Sequence, residues 1–321
     1  MSAAAYIRSN LVLFGALSAN LGIAVAKFVA AALTGSSSML SEGIHSVVDS
    51  TNQVLLLYGE KRADNPPDER HPFGYGRELY FWSFVVAILI FAVGAGVSFY
   101  EGYIHYSEPT ELTDPTINYV VLGVAFVLEG TSWTIAMREF ASVRGDNSWW
   151  TAVRKSKDPS VFIVMFEDSA ALIGLVVAAI GVWASHQFDA PRLDGIASMV
   201  IGLVLAMVAV LLARETKGLL IGEPARTGIV DRVAEIVLAK EWITGVNHVR
   251  TIHSSPKQVF VAISADFRDD LTMGEAEGLI EGLEDELTAA IPELRSIYIR
   301  PEKASCAVDF LAGPSAARTK P

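Results

Sequence analysis

Six stretches, at residues 11–33, 38–58, 79–104, 117–138, 161–183 and 193–212, are long and apolar enough to cross a bilayer. About 20 helical residues suffice for a crossing. Lipid satisfies no backbone N–H or C=O, so a segment that spans alone must be a helix. The runs mostly lack the polar stripe that a helix of a soluble core shows to water. Composition agrees, with 51% hydrophobic and 19% charged residues over 321 positions and a mean hydropathy of +0.38; soluble domains carry about 25% charged residues. The sequence therefore predicts an α-helical membrane protein with six transmembrane helices and the lipid bilayer as its surroundings. The opening MSAAAYIRSN is too short and polar for a cleaved leader, so the run behind it reads as the first span.

Short-loop Lys and Arg set the orientation. Lys61, Arg62, Arg70 and Arg77 follow the second run, and Arg138, Arg144, Arg154, Lys155 and Lys157 follow the fourth. The opposite loops, TGSS and HYSEPTELTDPT, carry none, and SHQFDAPR carries only Arg192. Both termini are expected in the cytoplasm. Tyr80, Phe81, Trp82, Tyr100, Tyr103 and Trp183 fit interfacial belts. A net charge of −11 argues against nucleic acid as a partner, and the single cysteine, Cys306, excludes an internal disulfide or a thiolate metal cluster within one chain.

The composition changes after ARETKGLLIGEPA. Residues 227–240 read as an amphipathic helix, and GVNHVRTIHSS and QVFVAISADFR alternate with period two around an SPK turn. TMGEAEGLIEGLEDELTAAI reads as a second helix, with Thr272 as N-cap and Glu275 closing a capping box. LRSIYIRP is a third strand. The αββαβ order predicts a small two-layer α+β domain in the cytoplasm. Residues 1–220 thus form a membrane domain, 221–305 a cytoplasmic α+β domain, and 306–321 a disordered tail.

Ionisable residues inside the spans point to function. A charge at the bilayer centre costs roughly 2.5–3.5 kcal/mol on insertion scales, so such groups face a bundle interior or wet cavity. His45 and Asp49 are i and i+4 on one helical face, with Glu42 a turn before them and Gln53 a turn after. The fifth span supplies the adjacent pair Glu167 and Asp168, whose side chains diverge by about 100°. An imidazole with two or three carboxylates suits a divalent transition ion, the nitrogen shifting preference from Mg or Mn towards Zn, Co, Fe or Ni. A structural His45–Asp49 pair locking a helix interface is the competing reading. Asp168 is the stronger ligand candidate; Glu167 is open to bonding a neighbouring helix or relaying protons. Glu129, in the fourth span, and Asn20 are candidates for proton transfer or outer-shell support, as is Glu42. Lys27 is a candidate for the same cavity, with Glu129 a plausible partner.

These residues resemble the cation diffusion facilitators. The second-span SSSMLSEGIHSVVDSTNQ, the loop DERHPFGYGREL (the family carries an HPFGHGR-like sequence there), an acidic span five and a small cytoplasmic domain all fit, over about residues 11–302. The resemblance implies a ferredoxin-like αββαβ domain serving dimerisation, a homodimer, and exchange of a cytoplasmic divalent metal for protons. It implies a transport site of His45, Asp49 and Asp168. The family's fourth ligand position is Val164 here, so Glu167 is expected to be recruited instead. Asp68 and His71 match a second metal site that is weak, because Tyr75 replaces its other His. His248 matches a cytoplasmic ligand, but its companions are Ser264 and Arg300, so tight binding is not expected there. His253 reads as a surface strand residue.

The implied function is efflux of zinc by alternating access, with manganese, iron, cobalt and cadmium as other substrates, no organic cofactor and no enzymatic role. The implied location is multi-pass in a bacterial inner (plasma) membrane. The alternatives are a membrane-bound metal sensor or scaffold without net transport, and an intramembrane metalloenzyme, for which no HExxH-type helix exists.

Overall fold

A computed structural model describes residues 11–110 and 115–307. The chain divides into two units, one of residues 1–65 and 77–220 and the other of 66–76 and 221–321. The tail expected to be disordered lies, from residue 308 on, outside the described residues.

The first unit is helical. It comprises α1 (Leu11–Thr34), α2 (Ser37–Ala63), α3 (Glu78–Ser107), α4 (Thr116–Arg144), the short α5 (Trp149–Lys155), α6 (Pro159–Gln187) and α7 (Arg192–Ile221). Four of these, α3, α4, α6 and α7, are long and apolar enough to cross a membrane. α2 falls outside that set because it carries Glu42, His45, Ser46, Ser50 and Asn52, and these are buried among its neighbours rather than presented outwards. It packs against α1, α3 and α6. Met39, Tyr80, Phe140, Phe162, Leu175, Ile201 and Leu212 form part of the core, while Val25, Leu33, Val120, Val127, Ile180 and Val210 remain exposed. Apolar side chains on both the inner and outer faces are what a helix bundle in lipid requires.

Two local features were not legible in the apolar runs. α3 passes through a π-helical segment, Ile90–Ala95, which keeps the helix continuous but shifts its faces. Within the basic loop after α4, Ser148 caps α5 by accepting from the Thr151 amide.

The second unit has α8 (Thr227–Leu238), β1 (Ile243–Ser255), β2 (Gln258–Phe267), α9 (Met273–Ala290) and β3 (Leu294–Pro301). The sheet order is β1-β2-β3, with β1–β2 antiparallel and β2–β3 parallel across the α9 crossover. Val259, Val261, Ile263 and Ala265 alternate along β2 and are buried beside Val233, Ile236 and Val237 of α8 and Leu283 and Leu287 of α9. The capping box at α9 is present, with Thr272 accepting from the Glu275 amide and Glu275 accepting from the Thr272 amide. Loop 66–76 belongs to this unit. Phe73 meets Phe260 edge-on at 5.8 Å, and Gly76 lies so close to β1 that a methyl there would sit 2.6 Å from the Ser254 carbonyl oxygen. His253 is therefore not a surface residue. It is 4% exposed, its amide donates to Glu223 O and its Nδ1 is 3.1 Å from Ser255 O.

Candidate metal-transport site

Asp49 of α2, Glu129 of α4, and Glu167 and Asp168 of α6 line one narrow cavity of about 10 Å³, room for about one water molecule. Asn20, Ser46, Gln53 and Val164 complete its wall. The adjacent acids of α6 reach different neighbours, as the helical angle between them demands. Asn52 Nδ2 donates to Glu167 Oε1 at 2.7 Å, and Ser132 Oγ donates to Asp168 Oδ2 at 2.8 Å. Both residues line the cavity, and each has one carboxylate oxygen held by a neighbouring helix. Val164 is on the wall, and Glu167 stands beside it three residues on.

His45 is 2% exposed and is not part of the wall. Its Nδ1 stands 3.4 Å from Asp49 Oδ1, and neither ring nitrogen makes a hydrogen bond. Glu42 Oε1, Asp49 Oδ1 and Asn52 Oδ1 are also buried without a hydrogen bond, all on α2. Buried polar atoms are ordinarily paired, so several orphans on one helix mark a place built for another ligand or another side-chain arrangement. Among the described residues, no three His, Cys, Asp or Glu side chains stand close enough together to hold a metal as they are. The cavity gathers carboxylates from three helices but is not a closed coordination cage.

Of the supporting residues, Asn20 Nδ2 donates to Gln53 Oε1 at 3.4 Å. Lys27 is 4.0 Å from Glu129 Oε1, but its shorter contact is to Glu42 Oε2 at 2.9 Å. Asn52 and Ser132 escaped the sequence reading. Both are uncharged, and only the packing of α2, α4 and α6 brings them to the acids.

The loop candidates are engaged in holding a turn. Asp68 Oδ1 accepts from the amides of Arg70 and His71, and Tyr75 Oη donates to Asp68 Oδ2 at 2.6 Å. The Tyr75 hydroxyl, aided by the backbone amides, holds the Asp68 carboxyl below the usual carboxylate range. His71 Nδ1 is 3.5 Å from Asp68 Oδ1, at an exposed position. Gly74, at φ +79°, closes the turn in a conformation that glycine alone adopts cheaply. In the sheet, His248 is in register with Ser264, and Ser264 with Arg300, so the three matched positions do lie side by side. There Ser264 Oγ donates to Glu302 Oε2 at 2.6 Å, and Arg300 pairs with Glu302 at 3.2 Å. A hydroxyl and a cation occupy the positions where additional ligands would be required.

A bundle with apolar outer faces around a buried, carboxylate-lined cavity is the architecture of a helical membrane protein. The model of the cation efflux transmembrane domain matches residues 13–221. Among similar proteins are the proton-coupled zinc antiporter SLC30A9, mitochondrial, of Xenopus laevis (31% identical over 243 residues, 75% of this chain and 44% of that one) and metal tolerance protein C4 of Arabidopsis thaliana (34% over 197 residues, 59% and 42%). The cation-efflux pump FieF of Escherichia coli is 22% identical over 265 residues, 81% of each chain. The alignments cover less than half the length of the first two relatives. The chain belongs to the cation efflux family, the cation diffusion facilitators, whose members are transporters and not enzymes.

Proposed function

We propose that the chain carries a divalent transition metal, zinc foremost, out of the cytoplasm in exchange for protons, by alternating access and as a homodimer. The observation that carries this reading is the buried cavity shared by Asp49, Glu129, Glu167 and Asp168. Carboxylates from three helices in an apolar bundle have a use for a dication. The six long helices all span, with both termini in the cytoplasm of a bacterial cell and α2 as the polar centre. Residues 221–305 are a cytoplasmic, ferredoxin-like dimerisation domain, a reading supported by the αββαβ order and parallel β2–β3 pairing.

Binding proceeds by small side-chain movements. Asp49 of α2 and Asp168 of α6 turn onto the ion, and the His45 ring, already 3.4 Å from Asp49 Oδ1, turns with Asp49 to present a nitrogen. Glu167 leaves Asn52 to take the place that Val164 cannot fill. A nitrogen and three oxygens then make a tetrahedral shell suited to zinc. Every ligand must be deprotonated to bind, so external protons compete for the same atoms and drive release.

The test is zinc flux in proteoliposomes with an imposed proton gradient. Asp168→Ala is expected to reduce flux at least ~100-fold and His45→Ala at least ~10-fold, the scale on which metal sites respond to lost ligands and supports. Wild-type rates in both variants would refute the assignment.

A further inference from the structure

Lys27 is a fully buried basic residue inside the helical unit. It lies deep within α1 at 0% exposure, so its ammonium cannot snorkel to a headgroup. Its Nζ donates to Glu42 Oε2 at 2.9 Å and to Ser46 Oγ at 2.8 Å, and stands 4.0 Å from Glu129 Oε1. Ser46 and Glu129 are both walls of the transport cavity, so the ammonium sits directly behind that wall, touching it from two helices. Glu42 is held through Oε2, while its other oxygen makes no hydrogen bond. Its Oε1 faces Gly174 of α6, where a methyl would lie 2.3 Å from it.

We propose that Lys27 is a built-in counter-cation of the transport cavity, and that its fixed positive charge sets how tightly the transported metal is held. The inference rests on the transport reading of that cavity. Asp49, Glu129, Glu167 and Asp168 face a dication at membrane depth, where charges act on one another strongly. Carboxylates alone would retain the ion, yet a carrier must bind well enough to load and weakly enough to release. An ammonium 4.0 Å from Glu129 supplies that opposition without competing for a coordination position. Glu42 in turn tempers Lys27 and keeps the ammonium aimed at the wall.

A pair that merely pinned α1 to α2 would behave differently from one that tunes charge. The experiment measures zinc Kd by titration calorimetry on the full-length protein in detergent at fixed pH, with zinc flux in proteoliposomes alongside. Lys27→Met removes the opposing charge and is expected to tighten Kd about tenfold while slowing maximal flux. Glu42→Gln leaves Lys27 uncompensated and is expected to weaken Kd by a similar factor. Tightening in Lys27→Met together with weakening in Glu42→Gln, each above threefold, bears the proposal out, and the reverse pattern overturns it. Shifts in the same direction, or below threefold, overturn it. Should Lys27→Met fail to fold, Glu42→Gln decides by the same threshold. A wild type that binds zinc but shows no flux fails the transport reading alone, and the Kd shifts still judge the role of Lys27.

Discussion

Asp194→Ala is expected to destabilise the helical unit by about 3–5 kcal/mol, the scale of breaking a buried charged network. Asp194 is fully buried in the first turn of α7 and joins it to the start of α2. Its Oδ1 accepts from the hydroxyls of Ser36 and Ser38, and its Oδ2 from the amides of Ser37 (2.6 Å) and Ser38 (3.2 Å) and the Ser37 hydroxyl. Two helix N-termini thus share one carboxylate, each presenting a partial positive charge to it. Alanine would strand two amides and the Ser37 hydroxyl and leave the Ser36 and Ser38 hydroxyls only each other as acceptors, each unpaired group costing about 1–3 kcal/mol. Thermal unfolding in detergent should show a fall of many degrees for Asp194→Ala and a smaller one for Asp194→Asn, which retains an acceptor. A loss below about 1 kcal/mol for the alanine variant would mean that water takes over these bonds.

Gly102→Leu is the second large effect, and it acts through shape. At Gly102 the backbones of α3 and α7 are in contact, for a methyl there would lie 2.6 Å from the Met199 amide nitrogen and 2.7 Å from the Gly195 carbonyl oxygen. Gly195 and Gly202 meet α3 backbone atoms in the same way, and Ser198 Oγ donates to Ser98 O at 2.8 Å. Small residues on facing helices permit this approach, as in membrane helix pairs generally. Overpacking costs about 1–3 kcal/mol in adaptable cores and more where only backbone can yield. Gly102→Leu should therefore separate α3 from α7 and reduce the yield of folded protein in detergent. Gly123→Leu, at a glycine with nothing within 4 Å of an added methyl, should not. Equal yields would show that α3 and α7 tolerate separation.

Much of this architecture could be read in the residues. The apolar runs fell on helices, the Thr272–Glu275 spacing marked the start of α9, and period-two alternation located β1 and β2. Burial of Val259, Val261, Ile263 and Ala265 on one side of β2 is what leaves that pattern. His253 was misjudged because its burial depends on tertiary packing, including the bond from its amide to Glu223 O, which strand alternation does not encode. The π segment of α3 leaves no trace in hydropathy, since one extra residue per turn does not change composition. At the site, the acids were visible because charges are rare in apolar runs. Their partners Asn52 and Ser132 were not, since amides and hydroxyls are common there. Asp194 looked like an ordinary first-turn acid, and its bonds to Ser36, Ser37 and Ser38 span more than 150 residues.

The central claim is that an ion lodges where α2 and α6 bring their acids together, and locating bound zinc tests it most directly. Anomalous scattering from zinc-soaked crystals of the full chain should place a peak about 2.0–2.2 Å from carboxylate oxygens of Asp49 and Asp168 and from a ring nitrogen of His45. A peak confined to Asp68 and His71 or to the sheet, with none between α2 and α6, would contradict the account.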